Sequence, residues 1–201
     1  MGTYIVYACP VGEFSRQVES YFHRTRIECG ANTAHKYMPH CSLTGFFRDE
    51  VTSVTSYLQA LHEVWCHAIA TCPQPAIEIS QMTFRQDWHG IELHSEWIKE
   101  LIANFIQKVD ARRGGEALRP KNWLHLSLAY DFDLQQHEHL AEIAQELIEP
   151  KAPLEWELRF YQRHIRDRNS VSPVTSRSTS PTTSDRRCEM YWTCHQCWPL
   201  Y

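Results

Sequence analysis

The chain has 201 residues and a mass of 23.7 kDa, which bounds it to one ordinary domain or two small lobes sharing a core. With 43% apolar, 22% charged and 12% aromatic residues it has the composition of a folded globular protein, not a disordered or fibrous one, and no apolar run approaches the roughly 18 residues of a membrane span. The net charge of −4 divides into −6 over residues 1–163 and +2 over residues 164–201, a mildly acidic body poorly matched to long nucleic acid, whose non-specific binding needs Lys and Arg against phosphates.

Tyr4–Cys9 (YIVYAC), closed by Pro10 and Gly12, reads as a strand. Phe14, Val18, Tyr21 and Phe22 recur at helical spacing and predict a helix over 13–25. His40–Phe47 (HCSLTGFF) is strand-like and follows Pro39, and the stripe Val51, Val54, Leu58, Leu61, Val64, Trp65 and Ala68 predicts a long helix over 49–71, closed by Pro73 and Pro75. Residues 76–85 and 90–94 read as two strands joined by a polar turn around Asp87; residues 96–111 form a second amphipathic helix, stopped by Gly114 and Gly115. Trp123–Phe132 (WLHLSLAYDF) is again a strand, 134–148 a helix ending at Pro150, and 154–165 (LEWELRFYQRHI) a strand with period two.

Asn169–Asp185 is almost all Ser, Thr, Pro and Arg, so residues 166–188 are expected to be a flexible insertion with too little apolar surface to order itself. Ser172-Pro173 and Ser180-Pro181 have the form of proline-directed phosphorylation sites, and unmodified linker is the preferred reading. Residues 189–201 (EMYWTCHQCWPLY) return to strand chemistry, and 190–199 are expected to be a final strand pairing with 154–165. The whole chain, 1–201, is then one bilobal domain.

The start, MGTYIVYACPVG, has neither a basic region nor a long apolar one, and Val6 stands where a myristoylation signal wants Ser or Thr, so a cytoplasmic or nuclear protein without a membrane partner is expected. Without a signal peptide the eight cysteines are expected to remain thiols. Cys194 and Cys197 form a CxxC pair with Cys188 upstream, but a structural zinc site needs four ligands at recognisable spacing and no second CxxC or HxxxH occurs, so no metal or other cofactor is expected.

Two segments echo one another 85 residues apart: His40-Cys41-Ser42-Leu43 and His125-Leu126-Ser127-Leu128. Such an offset suggests duplication of a lobe, not a solenoid. On a strand, residues i and i+2 share a face roughly 6.6 Å apart, so each His projects with its Ser while Cys41, Leu43, Leu124, Leu126 and Leu128 point into apolar packing. Two lobes beside a shared cleft bring two imidazoles and two hydroxyls into one pocket. One neutral His can then accept a proton from an attacking hydroxyl while the other, protonated, supplies one to the leaving oxygen, and Ser hydroxyls can hold non-bridging phosphate oxygens. Trp123 shares strand parity with His125 and Ser127 and is a candidate base-stacking surface; Tyr130 has the opposite parity and reads as core or rim. Arg159 and Tyr161 share one strand face, read as solvated, although Arg159 could meet a phosphate; the remaining histidines read as surface or structural.

PHCSLTGFF and WLHLSLAYDF resemble the His-x-[Ser/Thr] signatures of the 2H (two-histidine) phosphoesterase superfamily, and KNWLHLSLAYDF with WELRFYQRHIRDRN is similar to the N-terminal phosphoesterase domain of the TULA proteins, or suppressors of T-cell receptor signalling. The resemblance covers most of residues 4–199. It implies a bilobal, duplicated α+β fold with antiparallel sheets around a central cleft and helices outside, and metal-independent phosphodiesterase action on 2′,3′-cyclic or 2′,5′-linked nucleotides or RNA ends. By resemblance His40 and His125 are the catalytic acid/base pair and Ser42 and Ser127 bind phosphate. Ser stands in both hydroxyl positions where Thr is frequent, which keeps the donor. The Ser/Thr/Pro insertion is unlike the TULA domain, and nothing resembles its ubiquitin-associated, SH3 or histidine-phosphatase modules, so a signalling role is not expected to carry over. A monomer acting on a small nucleotide or RNA-end substrate is expected; the alternative is a non-catalytic module that holds a phosphorylated ligand on the same fold.

Overall fold

The computed structural model describes residues 1–72, 76–110, 117–151, 154–167 and 188–200. The chain begins with β1 (Gly2–Val11), whose apolar run is buried on both faces: Tyr4, Val6 and Ala8 enter the main core, while Ile5, Tyr7 and Cys9 pack with Tyr161 on the other side. Burial on both faces suits a run without polar alternation. Gly12, with a φ of +66°, turns the chain into α1 (Gly12–Glu28), a conformation in which a side chain would be strained.

The remaining elements are β2 (Cys41–Ser42), β3 (Phe47–Asp49), α2 (Val54–Thr71), β4 (Glu78–Phe84), β5 (Trp88–His94), α3 (Glu96–Asp110), β6 (Leu124–Tyr130), α4 (His137–Leu147), β7 (Glu155–Asp167) and β8 (Cys188–Leu200). Short 3-10 turns precede α2 at Val51–Ser53 and α4 at Leu134–Gln136. The strands form one eight-stranded antiparallel sheet in the order β4-β5-β6-β2-β1-β7-β8, with β3 alongside β1. The fold is α+β, as the resemblance implies, and its two halves, β4-β5-β6 and β1-β7-β8, are joined into one continuous sheet through β2.

One face of the sheet carries the core. Phe14, Val18 and Tyr21 of α1, Tyr57 and Leu61 of α2, Ile98, Leu101 and Phe105 of α3, and Leu140 and Ile143 of α4 belong to the same buried cluster as Tyr4, Val6, Leu126 and Leu128. Since alternate strand residues face opposite ways, helices that cover the even positions of β1 and β6 leave Tyr7, His125 and Ser127 on the other face. That face forms the cleft. Among the described residues no helix is long and apolar enough to cross a membrane.

The strand expected over 40–47 is broken into β2 and β3. Between them the Thr44 hydroxyl accepts the Val6 backbone N–H at 3.1 Å, and the Leu43 N–H donates to the Val6 carbonyl at 3.0 Å, so a side chain replaces one rung of the ladder. Gly45 and Leu43 instead exchange backbone hydrogen bonds with Arg119 and Lys121, which ties the segment to the chain just before β6. β8 pairs with β7 from Asp167↔Cys188 to Trp156↔Leu200. The expected Ser/Thr/Pro insertion falls within residues 168–187 apart from its two ends, and the helix stops at Pro73, Pro75, Gly114 and Gly115 likewise lie outside the described residues.

Candidate active site

The pairing Cys41↔Leu126 makes β2 and β6 antiparallel neighbours. Antiparallel register then sets His40 opposite Ser127 and Ser42 opposite His125. Directly opposed side chains have Cβ atoms roughly 4.5–5.5 Å apart and diagonal ones roughly 7–8 Å, so the histidines stand at one diagonal of a four-cornered site and the serines at the other. All four line one cleft of about 490 Å³ together with Tyr7, Tyr37, Phe46, Trp88, Trp123 and Tyr130.

Both imidazoles are oriented in the same way. His40 Nδ1 lies 2.8 Å from the Met38 carbonyl oxygen and His125 Nδ1 lies 3.2 Å from that of Trp123, in each case two residues back along the chain. A carbonyl only accepts, so each Nδ1 carries the hydrogen and each neutral ring keeps its Nε2 lone pair for the cleft. The environments differ. His40 packs against Tyr7 at 4.1 Å and Tyr37 at 5.4 Å between ring centroids, and burial, with a smaller effect of His125, lowers its pKa to about 4. Burial also lowers the pKa of His125, helped by the Lys121 and Arg85 cations, while the Trp123 carbonyl and the Glu92 carboxylate act the other way. Glu92 sits opposite His125 on β5 and is itself held below the usual carboxylate range by hydrogen bonds from Thr83 and Gln81.

Trp123 is 46% exposed and stacks on His125, with centroids 3.9 Å apart and planes at 30°. Trp88 closes the group: its ring meets His125 edge-on at 5.4 Å, and its Nε1–H donates to Ser127 Oγ at 2.9 Å. Arg85 lies over both indoles, 5.2 Å from Trp88 and 5.6 Å from Trp123.

Sequence parity missed several of these residues, among them Tyr130, Trp88 and Tyr7. Tyr130 lines the cleft, not the core or rim, because β6 carries a bulge: His89 pairs with Ala129 and Gly90 with Ser127, leaving Leu128 as an extra residue that resets the alternation. Leu128 and Ala129 are accordingly both buried. Trp88 fell in the expected turn around Asp87, whereas β5 begins at Trp88; its parity with Gly90 and Glu92 was the available signal. Tyr7 was hidden in a uniformly apolar run.

The face read as solvated on β7 is the continuing floor of this side of the sheet. Tyr161 is 6% exposed, and Arg159, opposite Tyr7, is held by Glu157 at 2.9 Å and by the Tyr161 hydroxyl at 3.2 Å. A bulge at His195 sets Cys194 and Cys197 opposite Tyr161 and Arg159, and both are free thiols, as are Cys9, Cys29, Cys41, Cys66 and Cys72. Among the described residues no three His, Cys, Asp or Glu side chains are grouped to hold a metal ion. Several other histidines have structural partners: His35 closes a capping box with Asn32, His89 Nε2 meets His137 Nδ1 at 2.8 Å, and His139 bonds Glu28 at 2.9 Å.

No family model matches the chain. It is 26% identical over 185 residues to an ecdysteroid-phosphate phosphatase of Bombyx mori, covering 90% of this chain and 28% of that protein. It is 27% identical over 199 residues to the ecdysteroid-phosphate phosphatase of Drosophila melanogaster (81% and 26%), and 25% identical over 189 residues to ubiquitin-associated and SH3 domain-containing protein B of Mus musculus (90% and 28%). The chain thus spans little more than a quarter of the length of these curated relatives. Among solved structures it is similar to E. coli LigT complexed with ATP, at a TM-score of 0.46 and 14% identity over 99% of this chain and 98% of that one.

Proposed function

We infer that this chain, a member of the two-histidine (2H) phosphoesterase superfamily near the TULA proteins, is a metal-independent phosphodiesterase that opens 2′,3′-cyclic phosphates or cleaves 2′,5′ linkages in small nucleotides or RNA ends. The observation that carries the reading is the Cys41↔Leu126 register, which sets both His-x-Ser pairs on neighbouring strands facing one cleft.

In ring opening, His40 Nε2 takes a proton from the attacking water as the new P–O bond forms, and His125 Nε2–H donates to the ribose oxygen as its bond to phosphorus breaks. His40 suits the base because burial keeps it neutral well below pH 7. The acid role falls to His125: Glu92 and the face of Trp123 favour its imidazolium against burial, Lys121 and Arg85, and an anionic phosphate between the rings adds to them. For a 2′,5′ linkage the neighbouring 3′-hydroxyl replaces water and the 5′-oxygen leaves. Ser42 and Ser127, at the other two corners, donate to the non-bridging oxygens as charge develops on them. The cleft volume is that of a small-ligand site, and the exposed part of the Trp123 ring offers a base a stacking surface.

The test is turnover of 2′,3′-cyclic mononucleotides and 2′,5′-linked dinucleotides in EDTA. Wild type is expected to be active, and His40→Ala and His125→Ala each to lose at least about a hundredfold, the contribution expected of one acid or base. A wild type inert on both panels, or mutants with full activity, sinks the reading; tight nucleotide binding without product is the outcome that marks a binding module.

A further inference from the structure

Ser127 and Ser42 occupy equivalent places in the repeat, yet among the described residues only one of them has a hydrogen-bonded hydroxyl. Ser42 Oγ has no hydrogen-bond partner among the described residues, whereas Ser127 Oγ accepts the Trp88 indole N–H at 2.9 Å. An indole N–H is donor only, and a Ser oxygen has one hydrogen and two lone pairs. With one lone pair engaged by Trp88, the Ser127 hydrogen must point away from the indole, and the side chain directly across the ladder in the cleft is His40.

The reach of Trp88 depends on Gly90. Trp88 is opposite Tyr130, and Gly90, two residues on and on the same face, is opposite Ser127. The indole folds back over Gly90: a Cβ there would fall inside van der Waals contact of the Trp88 ring and 2.6 Å from the Leu126 carbonyl oxygen. No side chain intervenes between the indole and Ser127, and the same ring rests edge-on against His125. One residue therefore touches both members of the second motif.

We propose that Trp88 is a positioning residue, whose indole N–H, admitted by Gly90, presets the Ser127 hydroxyl to donate to a phosphate oxygen in the cleft. This rests on the phosphodiesterase reading. A donor already aimed needs no reorientation as charge develops, so its effect lies in the transition state more than in substrate binding.

The experiment is a double-mutant cycle with Trp88→Phe, which keeps a ring over Gly90 and removes the N–H, and Ser127→Ala, read by steady-state kinetics on a 2′,3′-cyclic mononucleotide. Trp88→Phe is expected to lower kcat about tenfold with KM within about twofold, a fraction of the loss for deleting a donor outright. In the Ser127→Ala background the same substitution should change kcat less than about twofold, because the hydroxyl it acts through is gone. Equal losses in both backgrounds would mean that the ring acts by packing alone and would overturn the proposal. The indole N–H proton resonance of Trp88, identified by its absence in Trp88→Phe, should move upfield in Ser127→Ala; an unmoved resonance overturns the proposal independently of turnover. An inert wild type counts against the phosphodiesterase reading, and the cycle is then read by affinity for adenosine 2′-monophosphate, where coupling supports the positioning role and additivity refutes it.

Discussion

His40 and His125 share a motif, a tautomer and a cleft, but their surroundings separate the roles proposed for them. Around His40 the neighbours are aromatic, Tyr7 and Tyr37, and the neutral ring is favoured down to about pH 4. Around His125 a carboxylate, Glu92, stands directly across the ladder and acts against the cations Lys121 and Arg85. A base must be neutral and an acid protonated, so kcat/KM should fall below about pH 4 as His40 protonates and fall again as pH rises through the pKa of His125, which burial holds under the ordinary histidine value. A mildly acidic optimum is therefore expected. Glu92→Gln removes the charge that favours the imidazolium, and the alkaline limb should move to lower pH by about half a unit, as a partly screened charge one strand away allows. A pH–rate profile in which that limb stays fixed assigns the acid elsewhere. The motif histidines were legible because the repeat marked them; Glu92 was not, because its significance is that it lies across from His125 in a neighbouring strand.

At the scale of elements, two irregularities shape the cleft. The bulge at Leu128 turns Tyr130 inward, and the break after β2 lets Thr44 replace a backbone rung. Thr44 is fully buried and its hydroxyl is the partner of the Val6 N–H. Thr44→Val keeps the shape and strands that buried donor, so it should cost about 1–3 kcal/mol, read as a lower urea midpoint with an unchanged slope, while Thr44→Ser, which retains the hydroxyl, should stay near wild type. Equal midpoints for Val and Ser would refute the role of the hydroxyl. Strand and helix positions were largely readable from periodicity, since β7 and the four helices each expose one face to the core. The bulges were not: period two carries no mark of the residue at which pairing with another strand slips.

Across the whole molecule, the helices cover one face of the sheet and aromatic side chains close much of the other, so several histidines are held neutral inside the fold. Burial first, then Arg26 for His35 and His137 for His89, brings these two pKa values to about 4, alongside His40. Each folded-state value lies below the ordinary 6.5 or so, so the unfolded chain binds more protons between about pH 6.5 and 4. Stability is therefore retained above pH 6.5 and lost as pH falls through this window. Urea midpoints should decline from pH 7 to pH 5 with net proton uptake on unfolding; a flat profile would show that these rings are not neutral in the fold.

The repeat of His-x-Ser, the strand parity that sets each pair on one face, and the alternation of strands and helices were determined by the sequence alone, because they are local: each depends on residues within one element. Tertiary structure decided that the two motifs are adjacent, that each His faces the other motif's Ser, and that Trp88, Glu92 and Tyr130 complete the site. Those facts depend on register between strands far apart in the chain, and register is set by how a shared core and its bulges fit together, which no single stretch of residues encodes. The repeat suggested two lobes; the Cys41↔Leu126 pairing made them one sheet with one cleft.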